Sequence, residues 1–251
     1  MGNDCQEDNI ENFDITPEKL DSMYGKQDKL KDIESQVKAA PVATPQPPNF
    51  PNPVILGAAA FSCTDFILSA VNAGLLPPTV ASGVIGPAFF YGGSVQLITG
   101  LLCFITRNIF GLLTLTSYGA FWIAVATLIT LEDEDVLRFG DDANLPIGIL
   151  AVGYAILTCY LWLATFNHNL TLCVLIFMVD VQLILQSFAS FGVISTIAPG
   201  AAGLFVAANG WYFSMALFIN ENYGKHIMPL GDPHTTPIFR TIYKGIYGNQ
   251  G

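Results

Sequence analysis

Two carboxyl groups stand in stretches of the chain that are otherwise uncharged. Asp65 lies inside the apolar run 54–76 and Asp180 inside the run 170–190, each long enough to cross a bilayer. Burying an ionisable group at that depth costs several kcal/mol on most estimates, so each aspartate is a candidate for binding a proton or a cation. The uncharged polar residues around them recur at helical spacing. Phe61, Asp65, Ser69 and Asn72 are separated by four, four and three positions, which puts them on one helix face. Gly92, Gln96 and Gly100 repeat at intervals of four, as do Thr114, Tyr118 and Trp122, with Ser117 and Gly119 beside them. Asp180 and Ser187 share one edge of their run, and Gln182 and Gln186 lie roughly 120° or more around the helix from it. Asn209 and Tyr212 fall at mid-depth in the last apolar run.

These groups suit solvation better than covalent chemistry. Hydroxyls and amides facing a narrow, partly hydrated path can replace part of the water shell of a small polar solute. Thr and Ser can bond back to their own helix, whereas a mid-membrane tyrosine hydroxyl wants a partner on another helix or a wet cavity. Glycines at intervals of four also serve close helix packing. No nucleophile, base and orienting partner stand at recognisable spacing, so an enzyme is not expected. His168, His226 and His234 are scattered and four of the five cysteines sit inside apolar runs, so neither a metal, another cofactor nor a disulfide framework is expected. With a net charge of −10, no nucleic-acid partner is expected either.

The elements that must position these residues are membrane helices. The 251 residues are 52% hydrophobic and 12% charged, and half of the charges precede Asn52. The remainder is too apolar for a soluble domain. Uninterrupted apolar runs at 54–76, 84–105, 110–131, 145–165, 170–190 and 199–219 predict an all-α integral membrane protein with six spans in the lipid bilayer. Asn52 followed by Pro53 is a good helix start, and Gly86-Pro87 predicts a kink or a late start in the second run.

Five lysines of the N-terminal tail, Arg107, Lys225, Arg240 and Lys244 fall on one side, and Arg138 alone on the other. The positive-inside rule therefore places both termini in the cytoplasm, with the plasma membrane as the default and an organelle membrane as the alternative. Three regions are expected: an acidic, unstructured cytoplasmic tail over 1–50, a transmembrane domain over 51–223 and a cytoplasmic tail over 224–251. Within the first, 18–38 can be partly helical. The polar Gln182/Gln186 edge, left over after one path is lined, is the expected contact between protomers.

Four stretches carry a family resemblance. NPVILGAAAF, beginning at Asn52, is similar to the NPAPLGL signature of the acetate uptake transporter family, with Asn52, Pro53 and Gly57 at the matching positions. FYGGSVQLITGLL at 90–102, NIFGLLTLTSYGAFW at 108–122 and INENYGKHIMPLG at 219–231 agree as well, in order. That family contains bacterial acetate/succinate transporters and fungal acetate and ammonia-export proteins. The resemblance implies a homohexamer with one narrow pore per protomer, passing acetate and related short monocarboxylates, some members also succinate, by proton coupling or channel-like conduction. It implies a constriction of Phe61, Tyr118 and an aliphatic residue near Val179. Gln96, Thr114, Ser117 and Asn209 would line the path, with Asp65 bordering it.

Ile55 departs from the signature's second proline, and Asp65 and Asp180 stand where uncharged residues are expected. An ionised aspartate in the waist would oppose an anion by about 1 kcal/mol at about 4 Å in water and roughly 4 kcal/mol at an effective dielectric of about 20. Two other readings arise from that: an ammonium or other cation pathway using Asp65 and Asp180, and a non-transporting membrane sensor.

Overall fold

The computed structural model describes residues 16–39, 50–137 and 139–231, in two units divided between Asn49 and Phe50. In the first unit the segment 18–38, for which the sequence allows partial helix, forms one long helix, α1 (Pro17–Ala39), and the rest of the expected unstructured tail lies outside the described residues. Pro17 takes the first helical position, where a missing N–H costs nothing, and Glu18 comes next in the first turn. Those of its side chains that are described are exposed.

The second unit holds six spans. The first is α2 (Val54–Asn72). The second, Pro78–Ile105, is a composite. A 3-10 segment (Pro78–Val84) leads into the short α3 (Ile85–Phe89), a π-helical stretch (Phe90–Val95) and then α4 (Gln96–Ile105). The others are α5 (Ile109–Asp133), α6 (Leu145–Thr165), α7 (Leu170–Ser190) and α8 (Ile197–Tyr223).

The ends obey local chemistry. The Asn52 side chain accepts from Val54 N at 3.1 Å, as expected of the Asn-Pro start. Asn108 and Asn169 cap α5 and α7, accepting from Gly111 N (2.8 Å) and Leu172 N (2.9 Å). α2 ends four residues earlier than its apolar run, because Gly74 turns left-handed at φ 75°. Gly74 N bonds to Val71 O and Leu75 N to Ala70 O, the pair of bonds that closes a helix against a glycine. In the second span the expected irregularity at Gly86-Pro87 is present: regular α geometry begins only at Ile85. The π-stretch adds a residue to the turn and rotates α4 relative to the part of the span before it. A Cβ on Gly92 would meet Thr64 of α2, whereas one on Gly100 would meet Thr116 of α5, so the two glycines face different neighbours.

Packing closes the spans into a ring. Each lies against its sequence neighbour, and α8 returns along α2. The last turn of α8 stops at Gly224 (φ 60°), after which 225–231 fold back over that end of the bundle. Asn220 clamps this strap through Ile227 N, Met228 N and Met228 O, and Tyr212 Oη donates to Pro229 O at 2.7 Å. Leu170 N and Thr171 N at the start of α7 bond to Gly231 O and Leu230 O.

Candidate functional site

Aromatic side chains of α2 and α5 meet inside the ring. Phe61, from α2, meets Tyr118 of α5 edge to face, with ring centroids 5.5 Å apart and planes at 78°. Trp122, one turn further along α5, lies 6.5 Å from Phe61. All three rings are buried. The Tyr118 hydroxyl is hydrogen-bonded to Thr158 Oγ1 of α6. The hydroxyl at mid-membrane thus has a helix-borne partner, and its ring, not its oxygen, is what faces the interior. Sequence reasoning does not reach Thr158; its one signal is a hydroxyl amid the aliphatic residues of α6.

Directly against these rings is a cavity of about 50 Å³, room for a few waters or one very small solute. Phe61, Tyr118 and Val179 line it together, joined by Gln96, Thr114 and Phe213. Among these, Gln96 is 1% exposed and Thr114 8%. Gln96 Oε1 and Thr114 Oγ1 have no hydrogen-bond partner among the described residues. Both side chains line the cavity, whose accessible wall is formed by apolar atoms, with the two unpaired oxygens buried behind it. Phe110 lines the cavity too, and its ring lies against His168 with centroids 4.9 Å apart and planes tilted by 48°. Burial there lowers the His168 pKa below the usual imidazole value, so the ring is neutral at neutral pH.

The remaining expected residues lie elsewhere. Ser117 does not line this cavity; its carbonyl accepts from Tyr154 Oη of α6 at 2.8 Å. Asn209 is half-buried on α8 with its Oδ1 unpaired, and Asp180 is half-buried on α7 with its Oδ1 unpaired. Asp65 is 2% exposed and faces α7 on the far side of the Phe61 ring. Gly57 lies against α5 and α4, where a Cβ would stand 2.6 Å from Leu115 and 2.7 Å from Thr99.

The glutamine edge expected between protomers has partners within the protomer. Gln182 and Gln186 are not a free edge: Gln182 Nε2 donates to Asp65 Oδ1 at 2.7 Å, and Gln186 Oε1 accepts from Asn72 Nδ2 at 3.4 Å. The glutamine edge of α7 thus has partners on α2, because amides are costly to leave facing lipid when another helix offers partners.

A ring of six membrane helices with an aromatic waist and a small cavity defines a membrane protein of the channel and transporter class. Residues 34–229 match the GPR1/FUN34/yaaH family, and the chain belongs to it. It is 36% identical over 179 residues to Accumulation of dyads protein 2 of Saccharomyces cerevisiae, covering 66% of this chain and 61% of that one. To the Succinate-acetate/proton symporter SatP of Escherichia coli K12 it is 27% identical over 186 residues, 73% of this chain and 96% of that protein. The solved structure of the bacterial acetate channel SatP superposes with a TM-score of 0.68 at 25% identity, over 73% of this chain and all of that one.

Proposed function

We propose that this protein is a pathway for acetate and related short-chain monocarboxylates, with succinate as a further cargo class, running through the ring of each protomer. The observation that carries the reading is the waist: Phe61 and Tyr118 in edge-to-face contact, with Val179, over a cavity backed by two unpaired buried polar atoms. The rings exclude bulk water and larger solutes by size. Gln96 and Thr114 offer an amide and a hydroxyl to a carboxylate that has shed part of its shell. The family membership and the likeness to SatP, named both an acetate channel and a succinate-acetate/proton symporter, support the same solute class. Ser117 and Asn209 would serve the path outside this cavity, both at mid-depth of their helices. The setting proposed is the plasma membrane with both termini cytoplasmic, on the strength of the lysine and arginine distribution.

Radiolabelled acetate uptake into liposomes containing the purified protein tests this, with and without competing ammonium. Uptake that ammonium does not compete for is expected; ammonium flux without acetate flux would sink the reading. Phe61→Ala should admit larger carboxylates, at a stability cost of about 3 kcal/mol or more. Unchanged selectivity together with unchanged flux would remove Phe61 from the waist. The family resemblance also supports a homohexamer, built on the lipid-facing side chains now that the α7 amides are engaged within the protomer. Native mass spectrometry in mild detergent should give six copies, and a monomer that still transports would refute it.

A further inference from the structure

Beyond the waist, away from the cavity, the ring interior is polar. Gln182 Nε2 of α7 donates to Asp65 Oδ1 of α2 at 2.7 Å and stands 3.4 Å from Ser69 Oγ, which itself donates to Asp65 Oδ1 at 3.3 Å. The ring order gives this cluster its meaning. α8 sits between α2 and α7, so a bond joining those two must cross the interior face of α8. It crosses at Gly203: a Cβ there would fall 1.9 Å from Ser69 Oγ and 2.4 Å from Gln182 Nε2. The cluster therefore runs across the interior rather than around it, one turn beyond Phe61. A second rung, Asn72 to Gln186 to Ser190 (3.4 and 3.1 Å), continues toward the end of the bundle.

We propose that Asp65, Ser69 and Gln182 form a proton-binding bolt across the solute path, closed by donors converging on a carboxylate oxygen and altered when that carboxylate takes up a proton. Asp65 is fully enclosed and its second oxygen, Oδ2, has no partner among the described residues, so an acceptor for one more proton is built into the site. The contact with Gly203 leaves no room for a larger cation beside Ser69 and Gln182. Binding is simple protonation: the carboxylate and a proton from the aqueous end of the bundle give the neutral acid, and release reverses it. Protonation removes the negative charge that opposes an anion beyond the waist, and it turns one oxygen from acceptor to donor.

The other titratable groups around the waist are Tyr118 on α5, Tyr154 on α6 and Asp180 on α7. The interior face of α8 here is Gly203, Val206 and Ala207, with nothing to titrate. Asp180 is two residues from Gln182, roughly 160° or more around α7, so it is a separate carboxyl and the natural control.

This inference rests on the proposed acetate pathway for its role, though not for its chemistry, and the two are tested apart. Infrared difference spectra of the full-length protein in liposomes, taken across mildly acidic to mildly alkaline pH, read the protonated carboxyl directly. A titrating band should be present in the parent, absent in Asp65→Asn, present in Asp180→Asn and shifted in midpoint in Gln182→Leu, which keeps the carboxyl and removes its donor. A band that survives in Asp65→Asn, or a midpoint unmoved by Gln182→Leu, overturns the site. In parallel, the ratio of acetate uptake with and without an inward proton gradient should exceed one in the parent and fall to one in Asp65→Asn. A ratio kept at the parent's value overturns the coupling. A parent that takes up no acetate under either condition refutes the solute, while the infrared titration still decides the proton site.

Discussion

The two sides of the waist solve opposite problems with the same helix stripe. Phe61, Asp65, Ser69 and Asn72 succeed one another on α2. On the Phe61 side the facing helices leave a cavity lined in part by Gln96 and Thr114, each with a buried, unpaired oxygen. On the Asp65 side the facing helices come so close that a missing side chain at Gly203 is what lets Ser69 and Gln182 fit. Polar periodicity therefore reports that a face avoids lipid, and not whether it meets a void or another side chain. The difference lies in what stands opposite: α5 and α7 present rings and aliphatic groups at the cavity, whereas α7 and α8 present an amide and a glycine at the seam.

The sharpest way to break this contrast is a single methyl. Gly203→Ala places a carbon onto Ser69 and Gln182 and should destabilise the bundle by about 3 kcal/mol. Gly153→Ala on α6, where nothing lies within 4 Å, should instead gain up to about 1 kcal/mol from helix propensity. Thermal unfolding in detergent compares the two, and equal shifts would mean that the seam is not closed.

The cavity side predicts the reverse balance of stability and flux. Gln96→Leu combined with Thr114→Val removes no side-chain hydrogen bond made by the unpaired atoms, so stability should hold or rise. Each group is worth about 1 kcal/mol to a bound carboxylate, so flux at limiting acetate should fall roughly thirty-fold. A less stable double variant with parental flux would make these atoms structural.

The smallest effect belongs to the Tyr118 oxygen. Tyr118→Phe loses the bond to Thr158 and should cost about 1 kcal/mol, while the ring keeps its exclusion of larger carboxylates. A strong change in solute selection would mean that the hydroxyl, and not the ring, faces the path.

The family resemblance implied Phe61, Tyr118 and Val179 as a set, and helical spacing singled out Gln96 and Thr114; all five line one cavity. Spacing missed Phe213, because an aromatic directly after Trp211 and Tyr212 on α8 carries no periodic signal, and it did not reach the bond from Gln182 to Asp65. The angular separation of the two α7 edges is real, but the sequence holds no record of α8 lying between α2 and α7 with a glycine at the crossing. The π-stretch at Phe90–Val95 was equally invisible beyond the glycines that permit it, and it turns Gly100 away from the face Gly92 occupies.

What the sequence determined alone is what a single helix can decide. Six apolar lengths fix six spans, because every backbone group in hydrocarbon must bond within its own helix. Asparagines and glycines fix the ends of α5, α7, α2 and α8 through local capping. The tertiary structure alone decided which polar atoms remain unpaired. That depends on distances of a few ångströms between helices far apart in the chain, such as the 2.7 Å from Gln182 to Asp65 across 117 residues. Such distances result from how the whole ring packs, and no local run of residues encodes them.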